Sequence, residues 1–290
     1  MIDAHHHLWD LNAVNYPWLM EKGKRRFFGD PTPIQRNYLI DEHIKLANEL
    51  GFKGSVHIQV GAADGLEEAQ WINSVVNENQ SWPMVQVAFC DLSSDQRELH
   101  LDKLQKLSSV VGVRQIIGRS PAEDANSKTN ELLTSDNFMQ GLQSISDRGL
   151  TFDLQIIPEL LKTCASVFSQ FPNLQVILCH AGSPYNRTLE GIKSWAGDLI
   201  HLSNLSNVSC KLSGLGMFDH NWTGSTVAPI VTTVMDQFGS KRVMFGSNFP
   251  VDSLSSSFEQ LFTRLSSNID EKDFEDVFSK TAQRIYFSNF

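Results

Sequence analysis

Eight short apolar runs recur along the chain, and the stretches between most of them carry apolar residues at helical spacing. The runs are Ile2 to His7, Gly54 to Val60, Met84 to Phe89, Val110 to Ile117, Leu150 to Ile156, Leu174 to His180, Val208 to Ser213 and Arg242 to Ser247. Helices are predicted over Leu39 to Leu50, Leu66 to Asn77, Asp95 to Leu107, Asn137 to Asp147, Pro158 to Phe171 and Pro229 to Phe238, with a last one around Glu271 to Ile285. Apolar runs this short suit strands, and their alternation with one-faced helices is the pattern of βα units in a parallel sheet. Eight such units in 290 residues, near the ~250 typical of the fold, predict an α/β protein built as a single (β/α)8 TIM barrel.

Three stretches exceed the minimal repeat: Leu11 to Asn37 after the first strand, Ser120 to Leu133 after the fourth and Ser213 to Gly224 after the seventh. All three leave the C-terminal ends of strands, where barrels build their active sites. The first carries Tyr16-Pro17-Trp18, a basic Lys22-Gly23-Lys24-Arg25-Arg26 run, Phe27 and Phe28. Its aromatic residues are costly to leave in water, so a lid role is expected.

Composition narrows the class. With 41% hydrophobic and 20% charged residues the chain is globular, and no apolar stretch is long enough to span a bilayer. The first strand begins at residue 2, so a soluble, cytoplasmic protein is expected. Cys90, Cys164, Cys179 and Cys210 lack any C-x-x-C spacing and read as reduced, mostly core residues. A net charge of -9 without a basic patch argues against nucleic acid and anionic membranes, leaving a small-molecule substrate as the expected partner. Oligomeric state has no signature in the sequence.

The chemistry lies in polar residues inside apolar strands. Strict strand alternation puts Asp3, His5 and His7 on one face of the first strand and Ala4, His6 and Leu8 on the other. Further along are His57 and Gln59, Arg114, Asp153 and Gln155, His180, and Lys211 with Ser209 and Ser213, before Ser247-Asn248-Phe249-Pro250 ends the last strand. Unpaired buried polar groups are expensive, so such residues on most strands point to a shared site in the barrel mouth. Structural readings stand beside this one. His57 also suits a satisfied core histidine, Asp153 an ion pair with Arg114 or Lys211, Gln155 a hydrogen-bonding spacer, and Trp9 and Trp18 the wall of a pocket.

The segments Asp3-Ala4-His5-His6-His7-Leu8-Trp9, Val113-Arg114, Phe152-Asp153-Leu154-Gln155, Cys179-His180-Ala181-Gly182, Cys210-Lys211-Leu212-Ser213 and Gly246-Ser247-Asn248-Phe249-Pro250-Val251-Asp252 resemble the amidohydrolase-related (amidohydrolase 2) family. The chain is similar to its branch of sugar lactonases and dicarboxylate-lactone hydrolases. The resemblance implies a distorted TIM barrel whose site holds the first-strand histidine pair, the sixth-strand histidine and an eighth-strand acid. Two positions depart from the pattern. The fifth strand offers Asp153 and Gln155 where many members have a histidine, and Asn248 stands where the general base is usually aspartate. An amide cannot take a proton from water at neutral pH, so Asp153 and Asp252 are the candidates to replace it.

The function expected from this resemblance is hydrolysis of a lactone. Water attacks the ring carbonyl, with His5, His7, His180, Asp153, Asn248 and Asp252 as the catalytic set, and Trp9, Trp18, His57, Arg114, Gln155 and Lys211 binding the substrate. His5, His7 and His180 are enough to ligate one divalent ion such as zinc with a position left for water, while lactonases of this kind also act without a metal. A metal-dependent decarboxylase and a binding protein that has lost turnover are the alternatives.

Overall fold

The computed structural model describes residues 1–288. Eight strands, β1 (Asp3–His6), β2 (Ser55–Ile58), β3 (Met84–Ala88), β4 (Val110–Val113), β5 (Thr151–Leu154), β6 (Val176–Leu178), β7 (Val208–Leu212) and β8 (Val243–Phe245), form one parallel sheet in chain order. Beyond the last strand the seam to β1 is closed by Asn248 N–H donating to the His5 carbonyl at 2.7 Å and His7 N–H to the Phe249 carbonyl at 2.7 Å. The expected TIM barrel is therefore present, with strands shorter than the apolar runs because the residues after them bend into the mouth. Val56, Ile58, Val85, Val87, Ile177 and Met244 fill its interior, and the Thr281–Tyr286 helix adds Ala282, Ile285 and Tyr286 to the same cluster. Among the described residues no helix is long and apolar enough to cross a membrane.

The helices follow the predicted order with shifted ends. The one expected from Pro229 begins at Gly224, because Thr223 and Thr226 cap each other's backbone N–H at 3.2 and 2.8 Å. The Pro158 to Phe171 segment divides into a 3-10 turn over Pro158–Leu160 and a helix over Leu161–Phe168. The last divides into Glu271–Glu275, a π turn over Asp276–Lys280 and Thr281–Tyr286. Helices over Leu189–Ser203 and Phe258–Ser266 complete the outer ring.

One local feature corrects strict alternation along β1. Asp3 pairs with Ser55 and His6 with His57, so three steps on β1 face two on β2. This bulge re-aims the side chains around it. Asp3 turns to the helix side, where its carboxylate accepts from Ser247 N–H at 2.8 Å and Ser247 Oγ–H at 2.6 Å and lies 3.6 Å from His43. His5 and His7 remain on the inside.

The three long excursions meet over the mouth. Ser120 caps a short helix over Pro121–Ser127, and Glu123 on it receives two hydrogen bonds from Arg26, each 3.1 Å. Phe27 stacks on Phe218 at 5.5 Å, and His220 donates from Nε2 to the Phe28 carbonyl at 2.7 Å. Trp18 donates its indole N–H to the Val60 carbonyl at 2.7 Å. The Leu11 to Asn37 insertion is thereby fixed over the barrel by both other loops.

Candidate active site

A cavity of about 370 Å³ opens at the C-terminal ends of the strands. Its polar lining includes His7, Arg114, Arg119, Gln155, His180 and Asn248, and its apolar lining includes Trp18, Phe28, Ile116 and Met217. The His5 ring lies just inside, with centroid distances of 5.1 Å to His7 and 4.6 Å to His180.

Three imidazoles so close in a buried site resist protonation. His5, His7 and His180 are all held well below the ordinary histidine value, first by desolvation and then by neighbouring positive charge from Arg114, Lys211 or one another. The rings are therefore neutral, and their partners assign the protons. His7 Nδ1 lies 2.7 Å from the Ile58 carbonyl, which can only accept, so the proton is on Nδ1 and Nε2 is bare. His180 has a two-way partner. Its Nδ1 is 2.9 Å from the Ser213 hydroxyl, which also accepts the His180 backbone N–H at 3.4 Å. The hydroxyl can donate to Nδ1 or accept from it, and with Ser213 donating, the His180 proton is on Nε2.

Backbone strain places His180. It begins a run, His180, Ala181, Gly182 and Ser183, with φ of 55°, 51°, 70° and 55°. Left-handed non-glycine residues cost of order 1–3 kcal/mol each and collect where geometry serves function. Gly214 permits the approach, since a Cβ there would fall 2.4 Å from His180 Nδ1. Across the cavity Asn248, also left-handed at φ 54°, presents its side-chain oxygen 3.2 Å from His7 Nε2 and donates its amide N–H to Asp252 at 2.9 Å. Desolvation raises buried Asp252 to about 7.

Several residues expected at the site lie elsewhere. Asp153 faces inward on β5, but Lys211 is 2.5 Å from it and the Tyr286 hydroxyl donates to both its oxygens, at 2.8 and 3.0 Å. Both members of this ion pair are fully buried and neither borders the cavity, so the structure places the expected base Asp153 and the expected substrate grip Lys211 in an internal ion pair. His57 points away from the barrel axis, accepts the Leu8 N–H at 3.1 Å and sits 3.6 Å from Glu68. Trp9 is buried behind Trp18, its indole N–H given to the Arg36 carbonyl at 2.6 Å. Asp252 reaches the cavity only through Asn248. His7, His180, Asn248, Arg114, Gln155 and Trp18 converge on it, with His5 directly behind. Arg26 and Phe28 of the expected lid line it as well, and so do Arg119 and Met217, which were not singled out. Arg119 follows Ile116-Ile117-Gly118, where β4's apolar tail ends, and a first charge after such a tail is the signal that would have found it.

A metal has donors here: His5 is fully buried and neither ring nitrogen has a partner, which is what a ligand awaiting an ion looks like. Among the described residues the one group of three ligand atoms mutually within 4.8 Å is His5, Asp153 and Cys179. Lys211 already neutralises Asp153 there, and His7 and His180 lie beside His5 as further nitrogen donors, with ring centroids 5.1 and 4.6 Å away.

The amidohydrolase family profile matches residues 2–287, and the chain belongs to that family. An uncharacterised protein of Sinorhizobium fredii is 32% identical over 90% of this chain and 89% of its own length. An L-fucono-1,5-lactonase of Burkholderia multivorans is 22% identical over 90% of this chain and 85% of its own. In fold, the chain is similar to a crystal structure of a Burkholderia multivorans amidohydrolase with bound zinc, at a TM-score of 0.84, 21% identity and coverage of 99% of this chain and 98% of the other.

Proposed function

We propose that the protein is a lactonase in which His7 is the general base and His180 the group that polarises the ring carbonyl. What supports this reading is the meeting at one cavity of His7, whose Nδ1 faces the Ile58 carbonyl, and His180, whose Nδ1 faces the Ser213 hydroxyl, an arrangement that lets the two rings present opposite faces of proton transfer. Bare Nε2 of His7 can take a proton from water, and Nε2–H of His180 can donate to a carbonyl oxygen. When His7 accepts that proton, both its nitrogens become donors, and each already has an acceptor, the Ile58 carbonyl and the Asn248 oxygen. The asparagine thus holds the imidazolium as it forms, and Asp252 holds the asparagine by accepting its N–H. Water adds to the carbonyl carbon, the ring C–O bond breaks, and the proton on His7 passes to the departing ring oxygen, giving a hydroxy acid. The relation to a lactonase sequence supports the substrate class.

A divalent ion, if bound, would be held by His5, His7 and His180 and would supply Lewis acidity and a more acidic water. Holding it would require His180 to carry its proton on Nδ1, with Ser213 accepting.

The test is a panel of sugar and carboxylated lactones with acid release followed by a pH indicator, with and without added zinc. Release above background from at least one member is expected. No release from any overturns the reading.

A further inference from the structure

A buried carboxylate without a cationic partner is expensive to keep for packing alone, and Glu68 is one. It lies on the helix over Gly65–Glu78 at 1% exposure, and among the described residues no lysine or arginine forms an ion pair with it. Its Oε1 instead faces donors from three other parts of the chain. Val60 N–H gives to it at 2.9 Å, the Tyr16 hydroxyl points at it from 3.5 Å, and His57 Nε2 is 3.6 Å away. His57 accepts the Leu8 N–H on Nδ1, and burial lowers it to about 3, so it is neutral with its proton on Nε2. Glu68 Oε2 has no partner. Burial raises the carboxyl to about 7, and a proton, when present, has Oε2 to sit on, so Oε1 is an acceptor in either state.

The Val60 N–H belongs to a row of peptides leaving β2 whose carbonyls all accept from cavity residues. The Ile58 carbonyl takes His7 Nδ1–H at 2.7 Å, the Gln59 carbonyl an Arg114 N–H, and the Val60 carbonyl the Trp18 indole N–H at 2.7 Å. A peptide is a rigid plane, so whatever holds its N–H also aims its carbonyl. The Gln59 N–H is held by the Val87 carbonyl of β3 at 2.9 Å, and the Gly61 N–H by the Gln59 side-chain oxygen at 2.9 Å. The middle plane has Glu68. From this we infer that Glu68 is a positioning residue of the cavity, which fixes the Gln59–Val60 peptide and the Tyr16 end of the lid and so aims the carbonyls that hold Arg114 and Trp18. Without that acceptor the peptide can turn, and Arg114 and the Trp18 wall lose their anchor, while His7 keeps the Ile58 carbonyl that the sheet holds. Binding should suffer more than chemistry. The inference rests on the lactonase reading for its kinetic readout, but not for the placement of Trp18.

Three variants separate this role from packing. Glu68→Leu removes the acceptor, Glu68→Gln keeps one, and Glu68→Asp draws it back by one methylene and carries the test if Glu68→Leu does not fold. Placement is read by hydrogen exchange of the Trp18 indole N–H in NMR spectra, the signal being identified by its loss in Trp18→Phe. Its exchange should quicken about 10-fold in Glu68→Leu, as expected for one lost hydrogen bond, and by less in Glu68→Asp, with Glu68→Gln near the natural rate. The Trp82 and Trp195 indoles, which donate to Ser55 and Ala181, should keep their rates, which separates local loosening from general destabilisation. On a lactone that the protein turns over, Glu68→Leu should raise KM about 10-fold with kcat near natural, and Glu68→Gln should restore KM. A Trp18 rate unmoved in Glu68→Leu and Glu68→Asp, an equal loss in Glu68→Gln, or a fall in kcat at constant KM overturns the inference. If no lactone turns over, the lactonase reading fails and the exchange rates alone decide this one.

Discussion

The bare Nε2 of His7 lies 3.2 Å from the side-chain oxygen of Asn248, a contact that is repulsive while His7 is neutral and becomes a hydrogen bond once it is protonated. Asp252 keeps the amide in that orientation while it is ionised, since a carboxylate can only accept and takes the Asn248 N–H at 2.9 Å; with burial raising Asp252 to about 7, the hold is firmest above neutrality. The family's usual aspartate is thus replaced by a neutral acceptor that favours the charged state of its neighbour, with the acid itself one residue further out.

Asn248→Asp should therefore impair the enzyme. A second carboxylate would face Asp252 across that short contact, the pair would share a proton, and the added charge would raise the His7 pKa. The acid limb of the kcat profile should move to higher pH, so the loss of activity should be greatest at acid pH. A large gain would mean that the natural protein is an impaired hydrolase.

Lys211→Met tests whether the Asp153 pair is structural. Removing one member strands a buried charge, which typically costs about 3–5 kcal/mol, measurable by urea unfolding. The Lys211→Met, Asp153→Asn double variant should recover at least half of that loss and bind ligand as the natural protein does. Weakened ligand binding in a well-folded double variant would return Lys211 to the substrate.

Stability should rise as pH increases from about 4.5 to about 6.5. Six buried histidines, His5, His6, His7, His43, His57 and His180, are pushed down chiefly by desolvation, His43 and His57 to about 3. Below pH 6.5 the unfolded chain takes up protons that the native state refuses, so their contribution is lost as pH falls. Asp3, at about 6, and Glu68 and Asp252, at about 7, are raised by desolvation and act in the opposite sense, losing their contribution as pH rises. Six groups against three set the net direction. Thermal melts across the range check it, and a midpoint that falls toward pH 6.5 would contradict it.

The barrel was legible because eight apolar runs leave one parallel topology to build, and His180 because it ends a strand at the face where barrels work. Facing within strands was legible only where alternation held. The β1 bulge turned Asp3 outward against that rule, and His57, read as facing in with Gln59, points toward Glu68. Asp153 could be placed inside the barrel from sequence, but whether it is free depends on Lys211 and Tyr286, 58 and 133 residues away. The lid's anchors were equally hidden, since Arg26 meets Glu123 across 97 positions of chain.

Water attack on a lactone carbonyl is tested most directly by turnover in oxygen-18 water with mass analysis of the product. The account predicts a hydroxy acid carrying one solvent oxygen, located in its new carboxyl group, and strongly reduced formation by His7→Gln. A product that has lost carbon dioxide, or one whose label sits on the alcohol carbon, would contradict it.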